Sequence, residues 1–418
     1  MAVRREKNSY SESLTYYAWQ RLRKNKLAMF GLIVIGISVL IAVLGYLITP
    51  DSTPDSNEQL LELSIKPPGF KVPILRVRKN EKDHHVNFLY KMIFGEESNY
   101  TNIPIYRYYF EGNDIGCEEY TGDTPNKGTQ LKFNVADVVY PINYNAPIVN
   151  NEAEGYVEFY EFGSNTKIRK TVRELQNEII ANNLTVRKYI LGTDGEGRDM
   201  LSRLMIGTRI SLAVGFISVF ISIVLGILLG ALAGFFRGWI DDVIMWFINV
   251  VWSIPTLLLV IAITLVLGKG FWQVFVAVGL TMWVEVARIV RGQILGLREK
   301  EFVEAGRALG FTNYRLIFKH IVPNVMGPVI VVSAANFASA ILIEAGLSFL
   351  GIGAQPPTAS WGAMINANRG YIIAHAAYLA FLPGIAIMLM VLAFVLLGNG
   401  LRDALDTKSV TDDQLMGT

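Results

Sequence analysis

The sequence predicts an all-α polytopic membrane protein with six transmembrane helices and an extracytoplasmic α+β domain inserted between the first two. Three observations lead to this fold class. The 418-residue chain is 52% hydrophobic and only 18% charged, with a mean hydropathy of +0.35, whereas soluble domains average about 25% charged residues. Segment 51–190 holds 36 charged residues, but the longer segment 201–400 holds only 19. Six apolar runs also approach or exceed the length of about 20 residues that crosses a bilayer.

The first apolar run, Leu27–Ile48, follows the basic segment 1–26. A cleaved signal peptide has a shorter apolar core, so the run predicts an uncleaved transmembrane helix over 27–49. Pro255 should kink the third span, and Pro383-Gly384 interrupts the sixth. The five later spans are expected at about 211–236, 242–267, 271–295, 326–350 and 378–400.

Basic residues orient these spans. Segment 1–26 carries seven Lys and Arg residues and loop 296–325 carries five, whereas the short loops on the other side contain Lys269 and Arg369, one each. Because basic residues concentrate on the cytoplasmic side, we expect both termini in the cytoplasm and the protein in the inner (cytoplasmic) membrane. The predicted division is a basic N-terminus at 1–26, a first helix at 27–49, an extracytoplasmic insert at 50–190, a membrane core at 191–406 and a cytoplasmic tail at 407–418.

Short β-like runs separated by turn residues indicate the α+β character of the insert. A helical pattern over Thr171–Ala181 follows them. The single cysteine, Cys117, excludes an intramolecular disulfide, and His84-His85 has no spaced third ligand, so no metal site is expected. The predicted strands are Lys71–Val77, Ile103–Phe110, Leu131–Tyr140 and Tyr156–Phe162.

Catalytic function is disfavoured by the motifs that the sequence lacks. It contains no phosphate-binding G-x-x-x-x-G-K-[ST], no G-x-S-x-G and no H-E-x-x-H. We therefore expect no catalytic residues, no cofactor bound by this chain and no ATP hydrolysis by it. A net charge of +2 also gives no general attraction to nucleic acid.

The predicted loop 296–325 contains the most informative stretch. Its pattern predicts a first helix over about Glu299–Leu309, with Glu299 and Glu301 in the first turn, and Gly310 as its left-handed end. A second helix, capped by Thr312 or Asn313, should end near Pro323. An amphipathic surface loop is the plain interpretation. Alternatively, the small residues of Glu304-Ala305-Gly306 would let another protein approach the backbone, while Glu304 and Arg307 offer charged anchors.

This stretch resembles the EAA signature of permease subunits of binding-protein-dependent ABC importers. Glu304, Ala305, Gly310 and Pro323 hold the signature positions, and Gly306 stands where a second Ala is usual. The resemblance implies that a helix over about Glu299–Gly310 couples the chain to an ATP-binding subunit. The residues implicated in this coupling are Glu299, Glu301, Glu304, Ala305, Gly306, Arg307, Gly310 and Pro323.

A second motif precedes the second span. Gly192 and Gly197 allow tight turns, and Asp194, Arg198 and Asp199 can form a charged cluster. The run Leu191–Asp199, which also includes Thr193, is similar to the elbow of peptide-importer permeases. Catalytic carboxylates are the alternative interpretation, but no base partner or apolar pocket accompanies them.

Three further segments, at 343–353, 356–363 and 397–405, resemble the oligopeptide and dipeptide permeases. The resemblance implies a type I importer fold, a second homologous permease subunit, two ATP-binding subunits that hold ATP and Mg, and an extracytoplasmic solute-binding protein. It implies a peptide as the solute; a nickel complex or glutathione are alternatives. The insert is longer than in most relatives, and Trp246 and Asn249 stand where relatives often carry a charged pair.

Two features lie inside the predicted spans. Glu344 is an intramembrane carboxylate that could line the translocation path or pair with Arg288 or Arg291, although a structural hydrogen bond explains it as well. Glycines at 226, 230 and 234 predict close helix packing in the core, with a dimer interface as the alternative.

Two other classes of function stay open at this point. An ATP-independent transporter or channel would follow an ion gradient. A membrane-anchored sensor would depend mainly on the insert.

Overall fold

A computed structural model describes residues 14–405 except 84, 123, 147, 152–154, 165, 269 and 374. Predictions that concern residues 1–13, the tail 407–418, His84 and Lys269 lie outside these described residues. The α-helices are α1 (Leu14–Lys24), α2 (Lys26–Leu44), α3 (Phe88–Phe94), α4 (Val135–Val139), α5 (Val172–Glu178), α6 (Met200–Phe236), α7 (Gly238–Ser253), α8 (Thr256–Leu267), α9 (Phe271–Leu297), α10 (Glu301–Ala308), α11 (Asn313–Arg315), α12 (Val322–Phe349), α13 (Trp361–Asn368) and α14 (Tyr378–Leu405).

In the described part of the insert, between α2 and α6, there are eight strands. They are β1 (Phe70–Arg78), β2 (Tyr100–Glu111), β3 (Asp114–Glu119), β4 (Gln130–Asn134), β5 (Val149–Asn151), β6 (Tyr156–Tyr160), β7 (Lys167–Thr171) and β8 (Leu184–Tyr189).

Among the described residues, the helices that contain α2, α6, α9, α12 and α14 are each long and apolar enough to cross a membrane, and the bent pair α7–α8 brings the number to six. The prediction of a mostly helical, polytopic chain is confirmed. The second span begins at Met200 rather than at 211, because Asp199 caps the helix there. At 37 residues, α6 is about 55 Å long, so its first turns extend beyond a hydrocarbon core of about 30 Å.

The third span is broken rather than continuous. Helices α7 and α8 meet at an angle of 95°. Ile254 is extended (φ −93°, ψ 130°), as expected for a residue that precedes proline, and Pro255 then caps α8. The kink predicted at Pro255 is confirmed, but the single helix over 242–267 is wrong.

Helix α14 runs through Pro383-Gly384, so these residues interrupt the apolar run without breaking the span. Pro383 lies in the second turn of the helix, so it removes only the donor to the carbonyl of Leu379. Proline is tolerated in spanning helices in this way.

Glycines bring α6 against α9. A Cβ atom at Gly226 would lie 2.5 Å from the Cβ of Val286, and one at Gly230 would lie 2.4 Å from the carbonyl oxygen of Ala287. Gly234 faces the backbone of Arg291 in the same way. The glycine stripe therefore packs two helices of one chain, as the spacing predicts.

The insert contains two antiparallel sheets. The larger has the strand order β4-β3-β2-β1-β8 and the smaller β5-β6-β7. The capping box of Thr171 and Glu174 begins α5, close to the predicted helix. The strand predicted over Leu131–Tyr140 is wrong in its second half, because Asn134 accepts a hydrogen bond from the backbone of Ala136 (3.0 Å) and starts α4 there. Strands β3, β5, β7 and β8 were not predicted.

The two ends of the insert lie next to each other in the structure. Its first and last strands, β1 and β8, are paired, with Ile74 opposite Thr185. The N–H of Gly69 donates to the carbonyl of Tyr189 (2.8 Å). The chain therefore leaves the membrane core after α2 and returns to it before α6 at adjacent points.

The close approach of α6 and α9 gives a first prediction. Gly230→Ala should lower the free energy of unfolding by about 1–3 kcal/mol, because the added methyl group overlaps the Ala287 carbonyl. The matched control is Gly292→Ala on α9, where a Cβ meets nothing within 4 Å. We expect a lower Tm for the first variant and an equal or higher one for the second, measured in detergent by tryptophan fluorescence. Equal Tm values would contradict this packing.

Candidate functional site

The segment that joins α9 to α12 forms a compact helical turn around α10. Lys300 is extended (φ −83°, ψ 147°) and precedes the helix, so the helix starts two residues later than predicted. Gly310 takes a φ of +75°, while its N–H donates to Arg307 (2.9 Å) and that of Phe311 donates to Gly306 (3.0 Å). These two bonds form a Schellman motif, which confirms the predicted glycine end.

One face of α10 packs on its own chain. Val303 is fully buried, and a Cβ at Gly306 would lie 2.7 Å from a methyl group of Leu316. The structure therefore corrects the interpretation of Gly306: this glycine lets the following helical segment approach α10, and another protein does not approach it from outside. Leu316 and Ile321 complete the apolar cluster beneath the helix.

The opposite face of α10 is exposed and partly apolar. Glu304 and Ala305 lie on it, and the exposed Arg307 lies at its edge, with its guanidinium over the ring of Phe235 (5.5 Å). Leu309, just after the helix, and Tyr314 are each 73% exposed. Exposed apolar side chains rimmed by charges are typical of a protein contact surface, and we call these five residues the α10 surface. Sequence reasoning missed Leu309 and Tyr314, because in sequence they cannot be told from residues that pack inward.

Two arginine contacts connect this turn to the end of α6. Arg298 donates to the carbonyl of Phe235 at the end of α6 (2.5 Å), and Glu299 pairs with Arg237 (2.6 Å). Glu299 therefore lies outside the helix in which it was predicted. Burial, together with the charges of Arg237 and Arg307, lowers the pKa of Arg298.

The second helix of the turn does not end near Pro323, which corrects the prediction. A π-helical segment, Leu316–Ile321, follows α11 and continues into α12. Pro323 stands in the first turn of α12, where a missing N–H is tolerated. Thr312 caps α11 by accepting from the N–H of Arg315 (3.3 Å), as predicted.

The residues of the predicted elbow, Leu191–Asp199, also lie close together. Asp194 and Arg198 are both buried and form an ion pair (Oδ2–Nε 2.8 Å). The other carboxylate oxygen of Asp194 accepts from the N–H groups of Glu196 and Arg198 (3.0 Å each). Gly192 and Gly197 take φ angles of +78° and +73°, which a side chain would strain.

The elbow is docked on the segment that follows α2. The N–H of Lys66 donates to the hydroxyl of Thr193 (2.8 Å), and that hydroxyl donates to the carbonyl of Leu63. A Cβ at Gly197 would lie 1.8 Å from the carbonyl oxygen of Leu60. The glycines of this motif therefore allow two backbone segments to touch.

Asp199 connects the elbow to α6. Its Oδ2 atom accepts from both the backbone N–H (2.8 Å) and the hydroxyl of Ser202, and the Ser202 hydroxyl accepts from the N–H of Asp51 (2.9 Å). Burial raises the pKa values of Asp51 and Asp199. Every carboxylate here is engaged in local hydrogen bonds or ion pairs, which favours a structural cluster over catalytic carboxylates.

Known families match both the membrane core and the first helix. Residues 226–410 match the family described as binding-protein-dependent transport system inner membrane component. Residues 13–68 match the N-terminal TM domain of oligopeptide transport permease C. A glutathione transport system permease protein, GsiD, of Pectobacterium atrosepticum is 44% identical over 218 residues, which are 52% of this chain and 72% of that protein. The chain belongs to this family of importer permeases.

Other similar proteins were also found. GsiD of Escherichia coli O6:K15:H31 is 43% identical over 227 residues, 54% of this chain and 75% of that protein. An inward-facing structure of the MetNI methionine ABC transporter aligns with a TM-score of 0.41 at 21% identity, over 50% of this chain and 98% of that one. The permease is thus a multi-pass inner-membrane subunit of an ABC importer, a system that also contains ATP-binding and substrate-binding components.

Glu344 of the permease is enclosed within α12 and its surroundings. It is 1% exposed and accepts from the hydroxyl of Ser348 (2.7 Å), which in turn accepts from the N–H of Ala354 (3.1 Å). This network closes the end of α12 and favours the structural interpretation. A role of Glu344 in the translocation path stays a prediction.

The predicted pairing of Glu344 with Arg288 or Arg291 is wrong. Arg291 on α9 forms a bidentate ion pair with Asp241 on α7 (2.5 and 2.7 Å). Arg288 lies over the ring of Trp252 and donates to Asn249 (3.2 Å). Sequence reasoning missed these contacts, since nothing in the spacing relates residues that are about 40–50 positions apart.

The buried position of Asp199 gives a second prediction. Asp199→Ala should cost about 1–2 kcal/mol, because it removes the helix cap. Asp199→Asn should cost much less, since both bonds end on one oxygen that an amide also supplies. Tm measurements on the two variants test this, and an equal loss for both would contradict the cap.

The pH dependence of the same site follows from the pKa of Asp199. A raised pKa means that the folded protein binds the proton more tightly than the unfolded chain. Asp199 therefore favours folding most at low pH, and this contribution is lost as the pH rises from the ordinary value of 3.8 through the raised pKa. Asp199→Asn cannot titrate, so its stability relative to the wild type should rise across this interval. A difference that falls with pH would contradict the assignment.

Proposed function

We propose that the permease forms half of a translocation path and is moved by a separate ATP-binding subunit that binds the α10 surface. A second, homologous permease subunit would form the other half. Each of two ATP-binding subunits, which hold the ATP and Mg, would bind one such surface. A solute-binding protein would deliver the solute on the side of the insert, and both termini would lie in the cytoplasm.

The exposure of Leu309 and Tyr314 is the observation that carries this proposal. Both are exposed apolar side chains beside the tightly capped α10, and a partner that covered them would remove this apolar surface from water. Their position on a short turn between two spans suits a partner that approaches from the membrane surface. Glu304, and Arg307 at the edge of this surface, would fix the orientation of that partner.

The contacts of α10 explain how its movement would reach the membrane. Arg298 and the pair Arg237–Glu299 fasten the start of the turn to the end of α6. The cluster beneath Val303 joins α6, α9 and α12. A displacement of α10 would therefore be transmitted to three spans at once.

Through these contacts, nucleotide bound to the partner subunit would change the relative stability of the inward-facing and outward-facing states. It can shift the balance of inward-facing and outward-facing states only by its difference in affinity for the two. We propose that the α10 surface carries this difference, because it is the part of the permease turned toward the ATP-binding subunit. The permease itself would perform no hydrolysis.

A third prediction tests the α10 surface. Leu309→Asp should reduce the amount of ATP-binding subunit that co-purifies with the permease about tenfold or more, since a buried leucine contributes roughly 1.5–3 kcal/mol. ATP-dependent uptake should fall with it, while the Tm of the permease stays unchanged. The matched control for co-purification is Leu61→Asp in the insert, a leucine that is 66% exposed.

Two further variants make the test sharper. Glu304→Lys reverses a charge on the α10 surface without burying anything, and Gly310→Val strains the left-handed end of the helix at φ +75°. We expect both to reduce uptake. Normal uptake and normal co-purification with all three variants would refute the coupling role.

We further propose that the solute is a peptide or a peptide-like thiol. The matching of 13–68 to a permease of oligopeptide transport supports the first, and the identity with permeases of glutathione transport supports the second. A fourth prediction follows: cells that carry the complete importer should take up a radiolabelled dipeptide or radiolabelled glutathione, and unlabelled solute of the same class should compete with this uptake. Uptake of a nickel complex, with no competition by either class, would contradict this assignment.

A further inference from the structure

Helix α3 in the insert has its apolar side turned outward. Phe88, Leu89, Tyr90, Ile93 and Phe94 are each more than half exposed. The one charged residue of the helix, Lys91, is turned toward the domain instead. It pairs there with Glu96 (2.5 Å). Helices on water-soluble domains show the reverse arrangement, with their apolar face packed inside.

A single arginine fixes where α3 lies. Arg209 of α6 donates through Nε to the carbonyl of Ala42 (2.6 Å) and through Nη1 to the carbonyl of Ile93 (2.6 Å). Its Nη2 atom donates to Met92. The last turn of α3 is therefore held at the level of Ala42 in the first spanning helix.

This level lies within the first span rather than beyond its end. The first span runs to Leu47, and Ala42 precedes its end by five residues, or about 7.5 Å along a helix. Helices that lie flat in a bilayer bury their apolar face about 5–10 Å deep, between headgroups and acyl chains. The depth set by Arg209 falls in this range.

Neighbouring surfaces extend the apolar face of α3. Leu40 and Val43 of the first span are 60% and 52% exposed, as lipid-facing residues of a spanning helix should be. Beyond α3, the N–H of Glu96 donates to the carbonyl of Ser52 (2.9 Å), so the helix is fastened at its end as well. The exposed face of α3 thus continues the exposed apolar surface of the first span.

We propose that α3 is a membrane-interface anchor that rests in the outer edge of the bilayer and holds the insert down on the membrane. Its occupant is lipid: Phe88, Leu89 and Ile93 would enter the acyl region, and Tyr90 would lie at the headgroups, where tyrosine is enriched. The proposal depends on the permease spanning the membrane and is independent of the α10 surface. The insert would therefore be fixed to the bilayer at two places, the elbow and α3.

Spin-label accessibility tests this anchor. A nitroxide is attached to Leu89→Cys in the full-length permease, purified with its co-purifying subunits and placed in vesicles of phosphatidylethanolamine and phosphatidylglycerol. Leu40→Cys serves as the lipid reference. Val149→Cys, on an exposed apolar residue of the small sheet, serves as the water reference. Burial raises the pKa of the Cys117 thiol to about 11, so the native cysteine should resist labelling, and the wild type checks this.

The ratio of collision with oxygen to collision with a water-soluble nickel complex is measured at each position. The ratio at 89 should be close to that at 40 and at least about fivefold above that at 149, since oxygen concentrates in lipid and the nickel complex is excluded from it. A ratio like that at 149 would show that α3 faces water. Low collision with both reagents would show that another protein covers it. Either result overturns the proposal, and Ile93→Cys supplies a second position if one variant fails to assemble.

Discussion

The docking of the elbow on the segment after α2 is the constraint on which the rest of the structure depends. The chain leaves the membrane core after α2 and returns to it at α6, so the segment between them must hold the start of α6 in place. Thr193 forms hydrogen bonds with Leu63 and Lys66, and the bonds of Asp199 to Ser202 secure the start of α6. The elbow fixes the residue at which α6 begins. It therefore also fixes the position of the insert on the membrane core and the position along α2 that Arg209 contacts.

Helix α6 connects this junction with the opposite side of the membrane. It is 37 residues long, and its glycine stripe lies directly on the backbone of α9. Close-packed helices of this kind transmit displacement rather than absorb it. At the other end of α6, the carbonyl of Phe235 accepts a hydrogen bond from Arg298. The permease thus contains one continuous mechanical element between the insert and the α10 turn.

Sequence reasoning found the features that are encoded locally. The apolar runs, the change of direction at Pro255, the left-handed Gly310 and the clustering of Asp194 with Arg198 all depend on a few neighbouring residues. Features that depend on tertiary contact were missed. The side of α10 that faces outward, the partner of Arg291 and the pairing of β8 with β1 are decided by residues that are distant along the chain. The spacing of residues in the sequence does not predict these tertiary contacts.

The hydrogen bond between Gly69 and Tyr189 has an evolutionary consequence. The two ends of the insert lie next to each other. The segment between them can therefore be gained, lost or exchanged as one module, and the elbow stays docked on the segment that follows α2. The family matches at 13–68 and 226–410 are consistent with this, since the elaborated domain lies between them. A lineage could therefore replace the inserted domain of its importer while the membrane core stays the same.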